Sequence, residues 1–297
     1  MDLQLDQLRT LSSVVAGGTF DAAAAELRIT PSAVSQRIRA LETAVGRVLL
    51  QRTKPVQPTE SGEVVLRLAR QLTLLTDDAL VALGERGSGD SGPVTLPVVI
   101  NADSLNAWVL PVLAEVSTTH HVCFDVHRED QDHSLDLLRS GRVMAAITSS
   151  STPVQGCTVR RLGRMRYRPM ASPALVERWF PDGPTVAALT VAPVVAFDRL
   201  DALQDRYLRR RTRRTLSPPR HFVPAAAEFA ESVRLGLGWG MLPDLQSRDL
   251  VAAGEVVELD PGRTVDVDLY WQQWKLRSPL LDVLAGAILA AAQQHLR

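Results

Sequence analysis

Three polar side chains at helical spacing, Ser32, Gln36 and Arg39, have the chemistry needed to read the edges of DNA bases. Arginine pairs with the O6 and N7 atoms of guanine, glutamine with adenine, and serine with several base edges or with phosphate. The small residues Ala33 and Ala40 flank them, so a helix could come close to the groove and touch a thymine methyl group. The alternative is an ordinary solvated helix face, where arginine and glutamine are common.

The helix that must carry this face has start and stop signals that agree. Thr30 can cap it with its hydroxyl, Pro31 suits the first helical position, and Gly46 follows the last one. At about 100° per residue, the apolar side chains fall on the opposite side and predict a buried stripe of Val34, Ile38, Leu41 and Val45.

Two shorter helices precede this one. The first ends at the Gly17–Gly18 pair, and apolar steps of three and four predict that it buries Leu5, Leu8, Leu11 and Val15. The second runs from about Asp21, its predicted N-cap, to Leu27, and Arg28–Ile29 form a turn. This order of elements predicts a helix-turn-helix that binds double-stranded DNA.

Positive charge is concentrated in the same part of the chain. Residues 28 to 58 hold six cations and one anion, although the 297-residue chain has a formal net charge of zero. A local basic patch of this kind indicates contact with phosphates. The predicted DNA-binding residues are Thr30, Ser32, Ala33, Ser35, Gln36, Arg37, Arg39, Arg52 and Lys54.

A wing and a long helix are predicted next. Residues 48 to 52 and the proline-containing segment 53 to 58 predict a short β-wing. Thr59 then caps a helix whose apolar positions predict a coiled-coil seam between two copies of the chain, the alternative being packing on its own domain. The seam consists of Val65, Leu68, Leu72, Leu75 and Ala79.

The composition of the Gly84–Pro93 segment marks a domain boundary, because glycine, serine and charge replace the apolar positions. We therefore predict a DNA-binding domain over residues 1–58, a linker helix and hinge over 59–92, and a regulatory domain over 93–297. In the last of these, apolar strands alternate with helices, which indicates a parallel α/β sheet. Strands are predicted near 94–100, 122–126, 143–148, 167–171, 191–197, 221–223 and 240–242, with helices near 104–116, 135–140 and 226–235.

Several motifs resemble those of a known family. T-P-S-A-V-S-Q-R-I-R-A-L-E at 30–42 and T-E-S-G at 59–62 resemble the N-terminal region of LysR-type transcriptional regulators. Four later motifs together are similar to the branch that senses basic amino acids, known as ArgP, LysG or IciA. They are N-A-D-S-L-N-A-W at 101–108, V-Q-G-C at 154–157, G-L-G-W-G-M-L-P at 236–243 and L-Y-W-Q-Q-W at 269–274.

The resemblance implies a winged helix-turn-helix and a two-lobed effector domain like the type 2 periplasmic binding proteins. Lobe I would span about 93–163 and 267–297, and lobe II about 164–266. Strands near 162–166 and 265–270 would cross between the lobes, with a ligand in the cleft. The ligand would be L-lysine or L-arginine, and the likeness implies no other cofactor.

The segment Asn101–Ser104 supports a ligand site, because it joins a predicted strand to a helix start, where free N–H groups attract a carboxylate. Asn101, Ser104, Thr148 and Ser149 would add polar contacts, although serine and threonine at helix starts are mostly plain caps. A basic ligand also needs anions, for which Asp103 comes first, followed by Asp198, Asp201 and Glu228. Each of these could instead be a solvated loop carboxylate.

Other features carry less chemistry. Trp108 and Trp239 either wall the cleft or pack in the core, and Ala225–Ala227 stands where the branch's pattern leads us to expect serines. The spacing of His120, His121, Cys123, His127 and His133 fits no zinc arrangement, so we predict no metal site. Cys123 and Cys157 are expected to be reduced, packed thiols. The run from Arg209 to Arg214 is interpreted as a solvated helix end, or else as an extra DNA or partner contact.

Three functions from different classes are consistent with these residues. The first is a cytoplasmic regulator, dimeric or tetrameric through the linker helix and effector domain, that controls genes such as a basic amino acid exporter, with RNA polymerase as a candidate partner. The second, which an old name of the branch suggests, is a ligand-independent protein that binds DNA at a replication origin. The third is a solute-binding or enzymatic α/β domain. No catalytic set is placed convincingly, and no membrane segment is visible.

Overall fold

The computed structural model describes residues 3–83, 94–127 and 131–297. The first three helices are α1 (Leu5–Gly17), α2 (Phe20–Leu27) and α3 (Pro31–Val45). The hydroxyl of Thr30 caps α3 by accepting from the amide of Ala33 at 3.2 Å, and Gly46 ends it in the left-handed conformation with a φ of 72°. These boundaries of the predicted recognition helix are confirmed.

The predicted start of the second helix is wrong by two residues. Thr19, not Asp21, is the N-cap of α2, and its hydroxyl accepts from the amide of Ala22 at 3.0 Å. Thr19 has the extended backbone that a capping residue needs, whereas Asp21 already lies in the first turn. The apolar faces of the three helices meet in one core, which includes Leu11, Ala23, Val34, Ile38 and Leu41.

A two-stranded wing follows, made of β1 (Leu50–Gln51) and β2 (Gln57–Pro58), and leads into the long helix α4 (Glu60–Ala82). Thr59 ties the two together, because its hydroxyl donates to the carbonyl of Val48 and accepts from the amide of Gly62. A Cβ atom on Gly62 would lie 1.9 Å from the carbonyl oxygen of Leu49. The glycine of the T-E-S-G motif is therefore required by the close packing of α4 on the wing.

The predicted seam of α4 divides into two faces. Val65 is buried in the core of the N-terminal module, and Leu72 packs partly against that core. Leu68 and Leu75 are 37% and 38% exposed, and Ala79 is also exposed. Part of the stripe thus packs on its own domain, and part is available to a second chain. The hinge predicted at 84–93 lies outside the described residues.

The second domain combines strands and helices. Its strands are β3 (Val94–Ile100), β4 (Val122–His127), β5 (Ala145–Thr148), β6 (Cys157–Ala171), β7 (Val194–Ala196), β8 (Arg220–Phe222), β9 (Gly240–Pro243), β10 (Val257–Glu258) and β11 (Val265–Trp274). Its helical segments are α5 (Ala102–Ser104), a π-helical turn (Leu105–Val109), α6 (Leu110–His120), α7 (Gln131–Arg139), α8 (Pro173–Trp179), α9 (Val186–Val191), α10 (Leu203–Arg211), α11 (Ala226–Arg234), α12 (Asp244–Ala252) and α13 (Pro279–His295).

Within the described residues, seven strands form a mixed sheet. The predicted parallel pairing is confirmed for β3 with β4 and β5, and for the separate pair β7 and β8. It is wrong for the predicted strands 167–171 and 240–242, because the end of β6 pairs antiparallel with β9. The crossing strands β6 and β11 also pair antiparallel along their length. The reason is that one strand carries the chain out of the first lobe and the other brings it back, so their directions are opposite.

The two long strands contain an irregularity midway along their pairing. The register shifts between Leu269 and Tyr270, opposite Gly163, whose φ is 145°. Strands β3, β4 and β5 lie on one side of this point, and β9 and β10 pair with the far end of β6 on the other. A bulge of this kind bends the sheet, so it marks the junction between lobe I and lobe II.

The linker helix and the wing contact the effector domain at one turn, residues 139–142. Arg67 donates to the carbonyl of Arg139, and Arg70 donates to that of Gly141. Arg142 returns a hydrogen bond to the side chain of Gln57 in the wing at 2.6 Å. These contacts join the N-terminal module to lobe I within a single chain.

Two side predictions concern thiols and membranes. Cys157 is buried, but Cys123 is exposed, so the expectation that both thiols are packed is wrong for Cys123. Alternation along β4 turns Val122 inward and its neighbour outward. Among the described residues, no helix combines the length and apolar character needed to cross a membrane.

Candidate functional site

The predicted DNA-reading face lies on the outside of α3. Thr30, Ser32, Gln36 and Arg39 are exposed, whereas Ala33 and Ser35 are half-buried beside them. The apolar stripe of α3 seats the helix on its neighbours, which leaves this face free. Within the part of the chain that the structure describes, Arg39 forms no ion pair, so its guanidinium is available to a base or a phosphate.

Of the other cations predicted to contact DNA, two are exposed in the wing and one pairs with its own domain. Arg52 and Lys54 are exposed in the wing between β1 and β2, which suits phosphate contact. Arg37 turns back toward α1, where its Nη2 atom lies 3.4 Å from Oδ2 of Asp6. Its charge is therefore shared with its own domain, and it is less available to DNA than Arg39.

A cavity of about 620 Å³ lies between the two lobes. Lobe I contributes Asn101, Ala102, Asp103 and Ser149, which follow the ends of β3 and β5. Lobe II contributes Tyr167 from β6 and the loop after β7, which leads into α10. The charged residues of the wall are Asp103, Asp198, Asp201 and Arg206, so three carboxyl groups face one guanidinium.

Asp103 is bound to the opposite lobe. The hydroxyl of Tyr167 donates to Oδ2 of Asp103 at 2.7 Å. Burial raises the pKa of Asp103 above its ordinary value, the hydrogen bond from Tyr167 opposes that rise, and the charge of Asp201 adds to it. Burial also raises the pKa of Tyr167 well above its ordinary value, so the phenol stays neutral and acts as a donor.

Asp198 and Asp201 shape the loop beside the cavity. Asp198 accepts from the amides of Leu200 and Asp201, at 2.7 and 2.9 Å. Asp201 accepts from the amides of Phe197 and Leu203, at 2.9 and 3.0 Å. Both carboxylates line the cavity, but each already spends acceptor capacity on holding this turn.

Asn101 has a free acceptor at the cavity wall. It occupies the N-cap of α5, yet its side chain makes no capping bond, and its buried Oδ1 atom has no partner in the described structure. Such an atom at the wall of a cavity costs free energy unless a ligand or water binds it.

Four of the predicted effector residues do not reach the cavity wall. Ser104, Trp108 and Thr148 are almost fully buried behind it, and Glu228 is exposed on α11. Trp239 also lies in the core, where its ring meets that of Tyr207 edge to face with the centroids 5.5 Å apart. For both tryptophans, packing in the core is the observed alternative.

Comparisons with known proteins follow the same division of the chain. Residues 5–63 match the model of the bacterial regulatory helix-turn-helix protein, lysR family, and residues 88–293 match the LysR substrate binding domain. The chain belongs to the LysR family. It is therefore a DNA-binding transcriptional regulator, as its relatives are, and not an enzyme.

Close relatives of this LysR protein cover its whole length. It is 46% identical to the lysine export transcriptional regulatory protein LysG of Corynebacterium efficiens, over 98% of each chain. The solved structure of ArgP from Mycobacterium tuberculosis shares 44% identity and a TM-score of 0.85, covering 100% of this chain and 99% of that one. Full-length LysG from Corynebacterium glutamicum with bound effector Arg gives 40% identity and a TM-score of 0.76, covering 99% and 100%.

The sequence analysis missed several residues that line the cavity of this LysR protein. They are Tyr167 and Arg206, and the apolar side chains Phe197, Phe229 and Met241. Tyr167 directly follows the predicted crossing strand 162–166, which was the available signal for its place at the lobe junction. The others come from elements whose sequence pattern gives only burial, not direction toward a cavity.

The arginine run in lobe II is partly structural. Arg211 lies 3.0 Å from Oδ2 of Asp260, and Arg210 donates to the carbonyl of Thr264. Arg209, Arg213 and Arg214 are exposed. The interpretation as a solvated helix end thus fits Arg209, whereas Arg213 and Arg214 are exposed beyond the end of α10 at Arg211.

Proposed function

We propose that this regulator binds L-lysine or L-arginine in the cavity beside Asp103 and changes its DNA binding in response. The observation that carries the proposal is the half-buried Asp103 carboxyl group at a cavity between two lobes, with an excess of carboxyl groups on its wall. A basic amino acid bears two cations and one carboxylate, which complements this wall. The names of the relatives, which mention lysine export and an Arg effector, support the same ligand class.

The two ends of the ligand would contact different groups of the cavity wall. The free amides at the start of α5 suit the α-carboxylate, with Ser149 as a further donor. The free Oδ1 acceptor of Asn101 suits the α-ammonium group instead. Asp103 suits a cation, because its charge has no ion-pair partner among the described residues. Asp198 and Asp201 lie beside it and would strengthen the attraction for a positive charge. Ser104, Trp108 and Thr148 would support this wall from behind.

The output is DNA binding by paired modules. The exposed side of α4 would join two chains, and the effector domains would join dimers into tetramers. A ligand that binds one arrangement of the lobes better than another makes that arrangement more populated. The spacing between the α3 helices of the paired chains would then change. We expect the target genes to include an exporter of basic amino acids, the site of action to be the cytoplasm, and RNA polymerase to be contacted on the promoter.

Calorimetric titration of the purified chain with each common amino acid tests the effector. We expect heat from lysine or arginine, and a loss of at least roughly tenfold in affinity for Asp103→Asn, which removes the charge facing the cation. Glu228→Gln is the matched control, since Glu228 is exposed away from the cavity wall, and should leave the affinity unchanged. The absence of heat from lysine, arginine and histidine would overturn the proposal and favour a DNA-binding protein without a ligand.

A further inference from the structure

Tyr167 connects the two lobes at the back of the cavity. Its backbone belongs to the lobe II end of β6, where it pairs with Val265 of β11 and Pro243 of β9. Its side chain is buried and reaches across to Asp103, on the helix start that follows β3 of lobe I. A side-chain hydrogen bond of 2.7 Å therefore spans the lobe junction at the cavity wall.

The other charged residues of the cavity wall lie around this hydrogen bond. Asp201 lies close enough to raise the pKa of Asp103, and Arg206 lies close enough to oppose the rise in the pKa of Tyr167. Asp198 completes the set on the loop, and Arg206 is itself held by a bond to the carbonyl of Asp266 at 3.1 Å. The hydroxyl of Tyr167 is the neutral donor of this set, and it favours the ionised form of the Asp103 carboxyl group.

Resting on the proposed function, we propose that Tyr167 is a positioning residue of the effector site. Its hydroxyl favours the ionised form of the Asp103 carboxyl group, which a bound cation requires. It also ties that carboxylate to lobe II, so the cation contacts a group that both lobes share. A cation that binds Asp103 in lobe I therefore also affects Tyr167 on β6, the strand that crosses between the lobes.

A second tyrosine provides an internal comparison. Tyr207 is also buried, and its hydroxyl also donates to a carboxylate, Oδ2 of Asp260, at 3.1 Å. Neither Tyr207 nor Asp260 lines the cavity. Tyr167→Phe and Tyr207→Phe therefore remove the same chemical group from similar surroundings, and only the first touches the effector site.

Calorimetry of the full-length variants with arginine and lysine across a range of pH tests this role. We expect Tyr167→Phe to weaken binding roughly tenfold near neutral pH, the value typical of one hydrogen bond to a charged group. Its binding curve should also shift to higher pH, because the pKa of Asp103 rises when the stabilising donor is lost. Tyr207→Phe should match the wild type in both respects.

A double variant shows whether Tyr167 acts through Asp103. We expect Asp103→Asn to weaken binding, and we expect the added Tyr167→Phe change to cost nothing more, because the hydrogen-bonded partner is already altered. Independent, additive losses with an unshifted pH curve would mean that Tyr167 only fills space, and would overturn the proposal.

Infrared titration of the ligand-free protein tests the effect of Tyr167 on Asp103 without depending on the identity of the effector. The carboxyl band that disappears in Asp103→Asn reports the protonation of Asp103 directly. Its midpoint should move to higher pH in Tyr167→Phe and stay in place in Tyr207→Phe. An unmoved midpoint in Tyr167→Phe contradicts the role of Tyr167, whereas a missing heat of binding in the wild type contradicts the proposed effector.

Discussion

The carboxyl group of Asp103 couples ligand binding to pH. Burial raises its pKa, so the ligand-free protein holds a proton there at a higher pH than an exposed aspartate does. A cationic ligand requires the ionised form, and binding releases that proton. The effector affinity should therefore fall as the pH falls through the raised pKa of Asp103.

The linkage has the opposite sign for the stability of the ligand-free protein. A raised pKa of Asp103 in the folded state stabilises the folded protein at pH values below the unfolded pKa, and this contribution is lost as the pH rises through the folded pKa.

Calorimetry in buffers with different ionisation enthalpies measures the release of the Asp103 proton when the ligand binds. An observed heat that is independent of the buffer would contradict the assignment of Asp103.

Arg39 and Lys54 should contribute to DNA binding in different ways. Arg39→Ala removes a side chain placed to read bases, so we expect a loss of ~1 to 3 kcal/mol on the preferred site and weaker discrimination between sequences. Lys54→Ala removes a phosphate contact from the wing, so binding should weaken evenly and the log–log salt slope should fall by about 0.9. Fluorescence anisotropy at several salt concentrations separates the two, and identical profiles would refute the distinction.

The sequence predicted the positions of some cavity residues and not of others. Asp103 was predictable because a polar residue after a buried strand lies at a helix start. Trp108 and Ser104 share that segment, but their direction depends on the helix rotation, which includes a π-helical turn at Leu105–Val109. Tyr167 was missed because a buried tyrosine in a strand usually packs in a core, and its partner is distant in sequence.

At the level of elements, Gly62 tests how α4 is held on the wing. Gly62→Ala would place a Cβ atom 1.9 Å from the backbone of Leu49, so the helix or the wing must shift. We expect a loss of ~1 to 3 kcal/mol in the free energy of unfolding, together with weaker DNA binding. Denaturant unfolding of the full chain measures the first quantity.

Gly286 provides the matched control for that substitution. It lies on the long helix α13, and a Cβ atom there would meet no heavy atom within 4 Å beyond its chain neighbours and the adjacent backbone of its own helix. Gly286→Ala should stabilise the chain by ~0.5 to 1 kcal/mol, because alanine favours the helix. Equal effects of the two substitutions would contradict the packing described here.

The elements themselves were mostly predictable. Apolar periodicity and caps located α1, α3 and α4, because those signals lie within a few residues of one another. The length of β6 was not predicted, because the sequence analysis divided it into a crossing strand at 162–166 and a separate strand at 167–171. The adjacent arginines Arg160 and Arg161 interrupt the apolar pattern of its first part, so residues 157–161 were not recognised as belonging to it. The direction of pairing was also hidden, because a buried strand has the same composition in parallel and antiparallel sheets.

At the level of the whole molecule, the exposed side of α4 predicts self-association. Leu75→Glu would place a charge in the proposed seam between two chains, so we expect a shift toward monomers and a large loss of DNA affinity. Val251→Glu alters a similarly exposed side chain, 46% accessible, on α12 and is the control. Sedimentation velocity gives the oligomeric state, and an unchanged dimer in Leu75→Glu would rule out this seam.

The contact between the domains was beyond the reach of the sequence. Arg67, Arg70 and Gln57 meet the turn at Gly141 from positions that are more than seventy residues away in the chain. A Cβ atom on Gly141 would lie 2.8 Å from Cβ of Arg67, so this close approach depends on glycine. Contacts of this type depend on how two folded modules meet, which local patterns do not encode.

The central claim is that the outer face of α3 reads DNA and that a basic amino acid changes how it is held. Footprinting of the DNA upstream of the protein's own gene, with and without lysine or arginine, tests it most directly. We expect salt-sensitive protection of half-sites spaced by whole helical turns, and an altered protected length when the amino acid is added. Negligible protection at every salt concentration, with or without amino acid, would contradict the account.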